Sequence, residues 1–129
     1  MVDVVEKVRS FLAANGALVA VVGTRIYGGR DVPPQGYKPS DGACVTFRVR
    51  GGLGDYEDAL LKPSVQVKCY GETEAEAGAV YRAVDRALHE GRGQYVLFGE
   101  REVLGQALEE PQTGWRYVLG FYLVAVRNS

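Results

Sequence analysis

The chain has 129 residues, enough for one domain with its own core and no need of a disulfide or metal staple. Hydrophobic residues make up 47% and charged residues 24%, which excludes a disordered tail or a low-complexity linker. The net charge of −1 and sequence pI near 5.8 give no overall pull toward nucleic acid or an anionic membrane.

Asp3 to Ala14 reads as a helix, with Val4, Val5, Val8, Phe11 and Leu12 on one apolar side. Asp3 and Glu6 suit a capping box, and Asn15-Gly16 is a stop signal. Ala17 to Val22 is apolar throughout and ends at Gly23. Periodicity leaves a buried strand and a short buried helix open there. A short Arg25-Ile26-Tyr27 follows. Residues 28–42 hold Pro33, Pro34, Pro39 and four glycines, so no regular element is expected and a long, mobile loop is.

Ala43 to Arg50 alternates, with Val45, Phe47 and Val49 on one side and Thr46, Arg48 and Arg50 on the other. Gly51 to Asp58 reads as a second mobile loop, with three glycines and three acids. The next strand, Leu61 to Tyr70, has Ser64, Gln66 and Lys68 as its polar set. Thr73 and Glu76 cap a helix running to about Glu90, with Ala77, Val80, Tyr81, Val84, Ala87 and Leu88 as its stripe. Gln94–Phe98 and Arg101–Gln106 flank Gly99-Glu100, a candidate tight turn. After a polar connection over 109–114, the final strand from Trp115 to Arg127 is apolar on both sides. Each side should therefore be covered, by the domain's own helices or by another subunit.

These elements predict a single α+β domain over residues 1–129. It has a mainly antiparallel sheet of about four to five strands with two to three helices packed on one face. The other face should carry Thr46, Arg48, Arg50, Gln66 and Lys68, joined by Tyr70, Val118 and Tyr122 if parity holds. That mixture suits an assembly interface. Cys44 and Cys69 fall on opposite sides of their strands' alternation, which predicts two reduced thiols and a cytosolic folding environment. No signal-peptide pattern opens the chain, and no apolar run approaches about 20 residues, so the expectation is a soluble protein without membrane contact.

Chemistry is sparsely provided. His89, the one histidine, lies at a helix end, where a capping role suits it. No nucleophile elbow or P-loop is present. Asp55, Glu57 and Asp58 match no metal-loop spacing and read as a solvated acidic loop. No catalytic residue, metal or cofactor is expected. Arg48, Arg50 and Lys68 form a candidate basic stripe. It could meet phosphate, or it could pair with carboxylates of a neighbouring surface.

The order of pieces resembles the tail-completion, or tail-terminator, proteins of long-tailed bacteriophages. An N-terminal helix and an apolar run lead into Gly23-Thr24-Arg25-Ile26-Tyr27. A proline- and glycine-rich loop (Val32-Pro33-Pro34-Gln35-Gly36) precedes the hydrophobic Cys44-Val45-Thr46-Phe47. The strand SVQVKCY then leads into the helix ETEAEAGAVYRAVDRALHEG. The resemblance covers roughly residues 3 to 126 and implies a helix at 17–22. It implies a structural virion protein, not an enzyme, commonly a ring of six at the head-proximal end of the tail. Such a ring stops tube growth or joins tail to head, with DNA passing through its lumen.

The partners implied are further copies of the chain, the tail-tube protein and the head connector or adaptor proteins. The host cytoplasm is the place of assembly. Candidate interface residues are Arg30, Tyr37, Arg48, Arg50, Asp55, Tyr56, Glu57, Asp58, Gln66, Lys68, Tyr70 and Tyr122. Two other readings are a small nucleic-acid-binding module using Arg48, Arg50 and Lys68, and a ferredoxin-like enzyme or ligand-binding domain.

Overall fold

The computed structural model describes residues 2–54 and 60–128. Helices α1 (Val4–Ala13), α2 (Gly16–Val22) and α3 (Glu74–Leu88) accompany five strands. The strands are β1 (Ile26–Gly28), β2 (Cys44–Gly54), β3 (Leu60–Gly71), β4 (Val96–Glu109) and β5 (Arg116–Arg127). They form one sheet in the order β1-β2-β3-β5-β4. Only β1 runs parallel to its neighbour, and every other pair is antiparallel. The expected α+β class holds at its upper element counts.

Each helix starts on a side-chain cap. Asp3, Asn15 and Thr73 accept the backbone N–H groups of Glu6, Leu18 and Glu76 at 3.0–3.1 Å. Asn15 thus ends α1 and starts α2, which is why the apolar run 16–22 is helical. It is not buried all round, however. Only Leu18 and Val22 point inward, and Ala17, Val19, Ala20 and Val21 are exposed.

The main core forms where the three helices meet one side of the sheet. Val45 lies opposite Cys69, Phe47 opposite Val67, and Val65 opposite Tyr122. Val80, Val84 and Leu88 of α3 close over them together with Leu12, Leu18 and Val22. This register corrects the parity expected for β5. Val118 and Tyr122 lie opposite Cys69 and Val65, so they face the helices, and both are buried. The odd-numbered residues Tyr117, Leu119, Phe121 and Leu123 take the other side. Alternation fixes which residues share a side but not which side it is, and β5 is apolar on both.

Two further expectations change. Gly99-Glu100 is not a turn, because β4 runs unbroken from Val96 to Glu109 with three register shifts against β5. A side chain at Gly99 would collide with the carbonyl of Leu88. The glycine is there so that the strand can pass beneath the end of α3. Residues 51–54 continue β2 past an irregularity between Val49 and Gly52, while 55–58 lie outside the described residues. Among the described residues, no helix is long and apolar enough to cross a membrane.

Candidate assembly surface

The face of the sheet turned away from the helices carries most of the residues singled out from the sequence. The long loop 29–42 folds over one end of it and delivers Asp31. The Asp31 carboxylate accepts from Gln66 Nε2 at 2.7 Å and lies 3.3 Å from Lys68 Nζ and 3.5 Å from Arg48 Nε. Arg50 donates to Ser64 Oγ at 3.1 Å, and Ser64 donates to Glu102 at 2.7 Å. The Arg50 guanidinium also stacks 4.3 Å over the Phe121 ring, and Lys68 lies 5.1 Å over that of Tyr117.

The basic stripe is therefore real as geometry, but its charges are committed to groups of the same chain. Arg48 and Lys68 share one carboxylate, and Arg50 rests on an aromatic ring. Among the described residues each cation of this stripe thus already has a partner within the chain.

Beside this polar cluster lies a second, aromatic one. Tyr37, Cys44 and Tyr70 are buried there against Tyr27, Trp115 and Tyr117. Trp115 meets Tyr37 edge-on at 5.6 Å and Tyr70 edge-on at 6.4 Å. The Tyr37 hydroxyl donates to the Gly42 carbonyl at 2.6 Å, and the Tyr70 hydroxyl donates to Glu110 at 3.3 Å. Burial pushes both phenols well above their ordinary range, and pushes the Cys44 thiol up to about 11. Tyr37 and Tyr70 thus anchor the loop and the β4–β5 connection rather than facing solvent. An open groove of about 540 Å3 lies between Pro34, Trp115 and Glu110.

Farther along β5 the open face becomes apolar. Leu119, Phe121, Leu123 and Ala125 are half-buried, with no helix over them. At the edge of the sheet Val103 and Leu104 of β4 are 52% and 76% exposed. The sequence reading missed this shoulder, having assigned 101–106 to one strand of a hairpin. It also missed Asp31, whose only signal is an acid inside a loop dense in proline and glycine.

Tyr122, a candidate interface residue from its sequence position, belongs elsewhere. Its hydroxyl donates to Asp85 Oδ1 at 2.7 Å beneath α3, and burial raises its pKa far above the usual range. Arg101 grips the same carboxylate through Nε at 3.0 Å and Nη2 at 3.3 Å. The backbone N–H of Arg101 donates to His89 Nδ1 at 3.0 Å. This network ties α3 to β4 and β5. Asp85 thus accepts from Arg101 and Tyr122, and His89 Nδ1 is occupied by a backbone N–H. Arg30 is exposed in the loop and donates to the Val32 carbonyl. Asp55, Tyr56, Glu57 and Asp58 lie outside the described residues. No group of His, Cys, Asp or Glu among the described residues is placed to hold a metal.

No family model matches the chain, and no curated protein matches it. Solved structures do. A chain in the virion of a native gene transfer agent particle shares the fold with a TM-score of 0.65 at 20% identity. The likeness covers 98% of this chain and 100% of that one. The two thus share one fold over nearly the whole of the matched chains.

Proposed function

We propose that this protein is a structural subunit of a phage-like virion. In that reading it forms a ring at the head-proximal end of the tail, where it ends tube growth or joins the tail to the head connector. The observation that carries the reading is the full-length likeness to a chain of a gene transfer agent virion. The order of sequence elements that resembles tail-completion proteins points the same way. The open sheet face adds a physical reason for assembly, since it presents half-buried apolar residues over β5 and an apolar shoulder on β4.

The protein acts by contact rather than by catalysis. Its partners are further copies of itself, the tail-tube protein and the head connector, and DNA passes through the ring without sequence readout. Loop 29–42 is held to the sheet face by Asp31 and Tyr37, and it tightens further when a neighbour packs against it.

Electron microscopy of particles lacking this gene tests the proposal. Tails of uncontrolled length indicate a terminator, and normal tails detached from full heads indicate a joining role. Intact particles of normal length and infectivity overturn both.

A further inference from the structure

Two apolar patches lie on the surface, and among the described residues neither is covered. The first is the outer side of α2. A helix that is hydrophobic all round is normally buried, yet Gly16–Val22 contains no polar side chain and leaves Ala17, Val19, Ala20 and Val21 exposed. The second is the Val103–Leu104 shoulder of β4, an edge strand whose outer side is covered by residues 89–93 only as far as Arg101. Exposed edges invite another chain.

The patches belong to different elements, and α2 itself packs on α3 and α1. Strand β4 is one edge. Helix α2 ends at Val22, three residues before β1 begins the other edge. The β1 edge is itself shielded by α1, and Arg9 Nε donates to the Ile26 carbonyl at 3.1 Å. Direct extension of the sheet from β1 into a neighbour's β4 is thereby disfavoured.

Charge agrees with a pairing of the two patches. Residues 15–30 carry Arg25 and Arg30 and no acid. Among the described residues neither guanidinium meets a carboxylate, and each donates to a backbone carbonyl instead. Strand β4 exposes Glu100 and Glu102, while its one cation, Arg101, is held by Asp85. Two different patches that meet head to tail close into a ring when the rotation permits.

We propose that the outer side of α2 in one copy packs on the Val103–Leu104 shoulder of the next, with Arg25 and Arg30 facing Glu100 and Glu102. This names the subunit contact of the ring and rests on that reading.

The test uses two single-cysteine additions, Val21→Cys and Leu104→Cys, purified separately and treated with a short bismaleimide. Cys44 and Cys69 are buried and serve as an unreactive background. Mixing the two variants is expected to give covalent dimer at least severalfold above either variant alone. It should also exceed a mixture of Leu104→Cys with Gln112→Cys, a control at an exposed turn away from both patches. Equal cross-linking of Leu104→Cys with itself, or none above the control, overturns the contact. Native mass spectrometry of the unsubstituted chain separates the two levels. Closed rings without a 21–104 link reject this contact and leave the ring intact. Monomers alone, with no link, reject both.

Discussion

Several buried side chains in this protein are stable only in their neutral form. Cys44 shows the effect most plainly, because burial against Tyr37 and Tyr70 raises its thiol from 9.0 to about 11. The folded state then holds that proton more tightly than the unfolded chain does. The stability so gained is complete below the unfolded value and is lost as pH rises through the folded one. Cys69, Tyr37, Tyr70 and Tyr122 are all raised by burial and act in the same direction. Urea denaturation followed by circular dichroism should therefore show a midpoint unchanged to about pH 9. It should then fall steeply toward pH 11, with Cys44 alone contributing on the order of a few kcal/mol at about 1.4 kcal/mol per unit. A midpoint that holds level to pH 11 contradicts this account.

Strand β4 shows how an element can be half visible in its own sequence. Its two apolar runs are legible, and a Gly-Glu pair between them imitates a hairpin turn. Gly99 is small for another reason, since its Cα passes under the Leu88 carbonyl while the Gly99 carbonyl accepts from Glu90 N at 2.7 Å. Gly99→Ala should accordingly cost about 1–3 kcal/mol, as overpacking against backbone does. Replacement of Glu100, exposed on the same strand, should stay within about 0.5 kcal/mol. Both are measurable by chemical denaturation, and a neutral Gly99→Ala would restore the turn reading.

The same contrast runs through the other elements. Helices α1 and α3, strands β2 and β3, the two caps Asp3 and Thr73 and the opposed thiols are local patterns, and local patterns are what a sequence displays. The side taken by Val118 and Tyr122 depends on cross-strand register, and the partner of Arg48 and Lys68 depends on where a loop lands. Both are long-range, so Arg48, Gln66 and Lys68 were correctly grouped while Asp31 between them was not foreseen.

For the molecule as a whole, residues that stabilise the fold and residues of the proposed ring contact occupy separate places. Val67 lies in the middle of the main core, and truncating it to alanine removes packing that only the folded chain supplies. Leu104 is 76% exposed, so Leu104→Lys removes almost nothing from the isolated domain. Val67→Ala should lower unfolding free energy by about 2–3 kcal/mol, yet leave rings intact below its melting temperature. Leu104→Lys should change unfolding free energy by less than about 0.5 kcal/mol. It should still abolish rings in native mass spectrometry, because a buried unpaired ammonium opposes association. If Leu104→Lys unfolds the monomer, the shoulder belongs to the core of one chain. If rings persist, copies join through some other part of the surface.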